Sequence, residues 1–239
     1  MKLITVGTGS EQGNCYLLES KGRYVALDCG CKWKDVMVAC DFNVYAIHAA
    51  LLTHAHGDHA SHANDFVKNG IPLFTNDETS SKLKISQVKA APNTKTFISV
   101  SSWFVPFEVP HTDNDGVTPC QNYAFVICFN GERILYMTDW MYCPFHLAKH
   151  QINHFVLAVN YTDLDAESGK SSHVLRGHSS LETAVDFLKA SMTESCKSIS
   201  VCHVSDRNAD ENLILETIKQ LAGDKVNVNI CKKGEVINL

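Results

Sequence analysis

No Cys-x-x-Cys pair occurs in this chain, although it contains ten cysteines. They are scattered (Cys15, Cys29, Cys31, Cys40, Cys120, Cys128, Cys143, Cys196, Cys202, Cys231) through 239 residues, a length that excludes a small disulfide scaffold. Most fall in apolar, strand-like runs, where a reduced thiol packs as a small hydrophobe, and this points to a cytoplasmic setting. There is no excess of positive charge either: 26 acidic residues face 21 basic ones, for a net charge of −5. A strongly basic nucleic-acid footprint is therefore missing, and polynucleotide binding would need a local patch or metal contact with phosphate. No apolar run reaches the roughly 18 residues of a membrane span. Met1 leads directly into the strand-like Lys2–Val6, without the charged and apolar segments of a leader. No repeat, low-complexity stretch or linker interrupts residues 1–239, so one domain is expected, and a 45% hydrophobic content can fill its core.

What the chain does have is the stretch Thr53-His54-Ala55-His56-Gly57-Asp58-His59. Three imidazoles and a carboxylate stand directly after the apolar run Ile47 to Leu52. Such side chains are poor choices for a buried turn unless a cation compensates them. The spacing suits a turn at a strand end, with His54 and His56 converging on one ion while Asp58 and His59 reach a second.

The rest of the pattern alternates strands and helices. Strands are expected at Lys2–Val6, Cys15–Glu19, Tyr24–Asp28, Ala46–Leu52, Pro72–Thr75, Trp103–Val109, Tyr123–Phe129, Arg133–Met137, Phe155–Val159, Ser198–Cys202 and Val226–Ile230. Asn130-Gly131 is a strong hairpin signal. Helices are expected over Lys32–Cys40, Ala60–Asn69, Asp77–Ile85 (capped by Asn76 or Asp77), Leu181–Met192 and Asp210–Leu221. Two sheets sandwiched between helices, an α/β (α+β) class, accommodate this order.

Four further polar residues close strand-like runs or stand just before a helix: His111, Asp139, His178 and His203. Strand ends along one rim are where loops gather a site. His54, His56 and His111 can hold one ion, and Asp58, His59 and His203 the second, with Asp139 bridging. Nitrogen and oxygen donors of this kind suit zinc and also accept manganese or iron. His178 has a plainer reading as a surface residue before a helix, where Ser179 and Glu182 fit a capping box. His48, His62, His146, His150, His154 and His173 read as structural or exposed. Lys32, Lys34, Lys82, Lys84 and Lys89 read as a solvated face. Trp140 and Tyr142 read as core or pocket wall.

With these residues in order, the chain resembles the metallo-β-lactamase superfamily, whose signature is His-x-His-x-Asp-His after a strand. Within it, the chain is similar to the YycJ/WalJ-type phosphodiesterase and nuclease branch, and more distantly to RNase Z. Gly9-Ser10, Gly13-Asn14-Cys15, Leu27-Asp28-Cys29-Gly30, Pro110-His111, Thr138-Asp139, Gly177-His178-Ser179 and His203-Val204-Ser205 carry the likeness. It implies a four-layer αβ/βα sandwich with two divalent metal ions at the sheet rim. Asp139 stands where a β-lactamase would be expected to have cysteine. Glu11-Gln12 and Asn160 depart from the pattern of the group.

The resemblance implies a phosphodiesterase, exonuclease-like toward DNA or RNA, working through a metal-activated hydroxide. Asp58 would orient that hydroxide, His178 would act as general acid, and Asp28 would hold a ligand imidazole by its free N–H. The expected partner is a phosphodiester substrate and no membrane, with a homodimer left open. Alternatives are a small-molecule hydrolase (a cyclic-nucleotide or cyclic-phosphate phosphodiesterase, or a glyoxalase-type thioesterase) and a non-catalytic metal-binding protein.

Overall fold

A computed structural model describes residues 1–85, 88–162, 177–205 and 208–239. The Lys89 side chain, His173 and Arg176 lie outside the described residues. The strands, in chain order, are β1 (Lys2–Gly7), β2 (Cys15–Ser20), β3 (Arg23–Leu27), β4 (Ile47–Leu51), β5 (Leu73–Thr75), β6 (Val88–Lys89), β7 (Thr96–Ser99), β8 (Ser102–Glu108), β9 (His111–Thr112), β10 (Pro119–Cys120), β11 (Tyr123–Phe129), β12 (Glu132–Met137), β13 (His154–Ala158), β14 (Ser198–Cys202), β15 (Asn227–Ile230) and β16 (Val236–Asn238). Helices are α1 (Trp33–Ala39), α2 (Gly57–Ala60), α3 (Ala63–Lys68), α4 (Asp77–Leu83), α5 (Leu181–Ser191) and α6 (Glu211–Ala222).

Two seven-stranded sheets form, in the orders β16-β1-β2-β3-β4-β5-β6 and β15-β14-β13-β12-β11-β8-β7, with β9 and β10 as a separate ribbon. Side-chain alternation sorts the first sheet into two faces. Val25, Leu27, Ala49 and Leu51 point into the core shared with the second sheet. Ala26, Ala50 and Leu52 point the other way, onto Val36 of α1 and Ala63 and Phe66 of α3. On the far side, Ala184 and Leu188 of α5 and Ile214 and Ile218 of α6 join the main core. The result is the expected four-layer order of helices, sheet, sheet, helices.

Parallel pairing places the site. β3–β4–β5 and β12–β13–β14–β15 are parallel runs, so each leaves several carboxyl ends on one rim. β13 and β14 are buried at every residue, as strands covered on both faces must be. The β11–β12 hairpin turns at Asn130-Gly131, both at positive φ, as the expected turn requires.

Some expectations give way. The helix expected over Ala60–Asn69 is two short pieces, because His62 leaves the helical region at φ −111°, ψ 12°. The helix over Asp77–Ile85 stops at Leu83, where Lys84 takes a left-handed conformation; Asn76 caps its start, accepting from Thr79 N–H at 2.8 Å. Ser179 does not cap α5. Ser180 does, accepting from Thr183 N–H at 3.0 Å, while Ser179 is buried and donates to the Ala158 carbonyl. Trp140 is core, its indole N–H bonded to the Ala158 carbonyl. All ten cysteines are free thiols.

Candidate metal centre

The site is built where the parallel strands end. Asp28 follows β3, Thr53 and His54 follow β4, Asp139 follows β12, and His203 follows β14. Asp28, Asp139 and His203 all carry positive φ (59°, 48° and 50°), so the chain turns sharply at three rim positions. Non-glycine residues seldom adopt this conformation, and such strain concentrates at functional sites. Backbone bonds dock the α2 turn against the rim: Asn14 N–H donates to the Asp58 carbonyl and Cys29 N–H to the His59 carbonyl. The approach is so close that a Cβ at Gly30 would collide with the Asp58 carbonyl.

The seven sequence-predicted ligand residues come together in two groups. His54, His56, His111 and Asp139 form one; Asp58, His59, Asp139 and His203 form the other, and within each the donor atoms lie within 4.8 Å of one another. Asp139 belongs to both. Its Oδ2 lies 3.6 Å from His54 Nε2 and 3.8 Å from His111 Nε2 on one side, and 3.2 Å from His59 Nε2 on the other. Asp58 Oδ2 lies 3.3 Å from His59 Nε2 and 3.2 Å from His203 Nε2. His178 stands at the edge, its Nδ1 3.5 Å from Asp139 Oδ1 and its ring stacked on His203 at 6.0 Å.

Each of the five clustered imidazoles has its other nitrogen held from behind. His54 Nδ1 meets Thr53 Oγ1 at 3.0 Å, His59 Nδ1 meets Asp28 Oδ2 at 2.8 Å, and His111 Nδ1 meets the Gly177 carbonyl at 2.6 Å. His203 Nδ1 lies 2.7 Å from the Asn160 side-chain amide, and His56 Nε2 lies 3.3 Å from Asp113 Oδ1. Asp28 is itself fixed: Oδ1 accepts from Thr53 N–H and O–H, and Oδ2 accepts from Tyr136 O–H at 2.6 Å. Asn14 Nδ2 donates to Asp58 Oδ2 at 3.2 Å, and its Oδ1 accepts from Gly9 N–H. Sequence spacing gives Asn14, Asp113, Tyr136 and Asn160 no role at the site; Asn14 and Asn160 stand in it as motif letters alone.

The electrostatics fit a pair of cations. Burial, together with neighbouring imidazoles, pushes His54 well below the ordinary histidine range, and burial takes His111 down to about 4. Burial also lowers His56. For His59 burial opposes protonation, but the Asp58, Asp139 and Asp28 carboxylates override it and hold it well above the usual value. His203 is raised, with burial opposing and Asp139 and Asp58 prevailing. Burial works against ionised Asp58 and Asp139, yet the surrounding imidazoles keep both below the usual carboxylate range. His54 Nε2 is buried with no hydrogen-bond partner. An unmet buried donor or acceptor costs about 1–3 kcal/mol, and a cation at the convergence of lone pairs removes that cost.

A cleft of about 500 Å³ opens beside His178 and His203; Glu11, Gln12, Asn160, Glu211, Lys232 and Lys233 are among its lining residues.

Fold and site together define a four-layer αβ/βα sandwich carrying a His/Asp cluster suited to divalent metals. The sequence profile of the β-lactamase superfamily domain matches residues 23–196, and the chain belongs to that superfamily. The Zn²⁺-bound PqqB from Methylobacterium extorquens has a similar structure, with 13% identity, all of both chains covered and a TM-score of 0.74. A diphosphatase of the PhnP family is similar at 16% identity, covering 100% of this chain and 97% of that one, with a TM-score of 0.68. The short form of human tRNase Z is similar at 15% identity, covering 100% and 99%, with a TM-score of 0.64. At such identities the likeness establishes the fold. No curated protein sequence matches the chain.

Proposed function

We propose that this protein is a binuclear metal-dependent hydrolase that cleaves phosphodiesters, with nucleic acid as substrate and an exonuclease-like action, in the manner of the YycJ/WalJ-type branch. One observation carries the reading: Asp139 Oδ2 stands between two sets of imidazole nitrogens, the position of a carboxylate shared by two ions. His54, His56 and His111 would hold the first ion, and Asp58, His59 and His203 the second. The donor set suits zinc and accepts manganese or iron. When bound, such ions supply an activated water and neutralise phosphoryl charge.

The chain's own groups do the rest. Asp28 fixes the His59 ring so that Nε2 faces inward. Asp58, whose side chain is only partly buried, orients the attacking water. His178 faces the cleft, where it delivers a proton to the leaving oxygen. The free thiols support a reducing, cytoplasmic setting.

A second reading, a small phosphodiester such as a cyclic nucleotide, draws on the charge. The net −5 and the mixed Glu11, Glu211, Lys232 and Lys233 lining give a long polyanion little to follow. Incubation of the zinc- or manganese-loaded protein with 5′-labelled single- and double-stranded oligonucleotides, beside cyclic nucleotides, separates the two. Shortened labelled products support the nuclease; cyclic nucleotides opened while every oligonucleotide stays intact would overturn it.

A further inference from the structure

His56 differs from the other four clustered imidazoles. It turns Nδ1 toward the cluster, 3.2 Å from His111 Nε2, and Nε2 outward, and 12% of its side chain reaches solvent, the largest share of the five. The two neutral tautomers of such a ring place the lone pair on opposite sides. Solvent at the outward nitrogen accepts either one, so the ring needs a fixed acceptor there to keep its lone pair on Nδ1.

Asp113 supplies that acceptor. Its Oδ1 lies 3.3 Å from His56 Nε2, and its Oδ2 accepts from Lys82 Nζ at 3.0 Å. Lys82 projects from α4 and also pairs with Glu78 at 2.8 Å. Asn114 N–H donates to Asp113 Oδ1 at 2.9 Å, and Asp113 N–H donates to the Thr118 carbonyl at 2.7 Å. The carboxylate is thus braced by a helix and by its own loop at the tip of the β9–β10 ribbon, whose first residue is His111. A salt bridge this exposed contributes little to stability, which leaves orientation of His56 as its consequence.

We infer that Asp113, braced by Lys82, is a positioning residue that keeps the proton on His56 Nε2 and presents Nδ1 to the first ion. The inference rests on the two-ion reading above. It extends to His56 the arrangement seen at His59 and Asp28, from a residue that sequence spacing does not single out.

The test compares wild type with Asp113→Ala, Asp113→Asn and Lys82→Ala. In the metal-free protein just above neutral pH, ¹⁵N imidazole NMR reads the His56 tautomer. Wild type and Asp113→Asn, whose amide oxygen still accepts, are expected to show the Nε2–H form, and Asp113→Ala a mixture. Zinc competition against a chelator reads the ions: Asp113→Ala should weaken one of two sites by roughly 10–100-fold, Asp113→Asn should recover most of it, and Lys82→Ala should fall between. The thermal midpoint of the metal-free protein should not move. Unchanged tautomer populations in Asp113→Ala, or equal weakening of both sites, would overturn the inference. Wild-type protein that takes up no zinc would sink the two-ion reading, and the tautomer measurement would still decide whether Asp113 sets His56.

Discussion

Asp28 concentrates the physical logic of the site in one residue. It is fully buried, carries a positive φ, and spends both oxygens on Thr53, Tyr136 and His59. Replacing it with asparagine keeps the shape but takes away the charge that holds a proton on His59 Nδ1. Asp28→Asn is expected to weaken one of the two zinc sites by roughly 10–100-fold, read by competition with a chelator, while the other keeps its affinity. Gly30, two residues on, answers to sterics. A methyl group there meets the Asp58 carbonyl, and Gly30→Ala should cost about 1–3 kcal/mol in denaturant unfolding. A Gly30→Ala protein as stable as wild type would show that the α2 turn is not docked as described. The seven clustered residues were legible from sequence as candidate ligands because their types and strand-end spacing match a mechanism. The residues behind them were not: Asn14 reaches Asp58 across 44 positions, Asp113 reaches His56 across 57, and Tyr136 reaches Asp28 across 108. A polar side chain whose partner lies that far along the chain looks like any surface residue until the fold closes.

Among the elements, strong local signals are legible in the sequence and weak ones are not. Long apolar runs such as β13 and β14 and the Asn-Gly hairpin declare themselves. The two-residue strands β6, β9 and β10 carry no periodicity, and β7 and β16 gain their identity from pairing with β8 and β1. The split of α2 from α3 was also hidden, because His62 turns out of the helix to donate from Nδ1 to the Asp65 carboxylate at 3.0 Å and to give its backbone N–H to the Cys29 carbonyl. That split lets α2 present Asp58 and His59 at an angle set by the rim rather than by a longer helix. Gly177 shows the same economy at the other side of the site: its carbonyl holds His111, and an added Cβ would lie 2.9 Å from Thr112 Oγ1. Gly177→Ala is expected to disturb His111 and so lower zinc affinity at the first site more than at the second, in the same competition assay.

For the whole molecule, the cluster dictates how stability follows pH when no ion is bound. His54, His56 and His111 sit below the ordinary histidine value, His111 at about 4. The unfolded chain takes up those protons near pH 6.5 and the native one does not, so stability falls as pH drops from about 6.5 toward 4. His59 and His203 are raised, so their contribution is full below about 6.5 and is lost as pH rises through their native values. Asp58 and Asp139 are depressed; their contribution stands above about pH 3.9 and is lost on further acidification. The metal-free protein should therefore show its highest thermal midpoint near pH 6.5, with a decline on both sides. Zinc should abolish the alkaline decline by taking the place of protons on His59 and His203. A metal-free midpoint that climbs steadily through pH 8 would contradict these shifts.

Hydrolysis of bis-p-nitrophenyl phosphate by metal-free protein titrated with zinc or manganese tests the central claim most directly. The two-ion account predicts that turnover appears with metal, saturates at two ions per chain and disappears in Asp58→Ala. No turnover with any divalent metal, from a protein shown to bind two ions, would contradict it and leave a metal-binding protein without this chemistry.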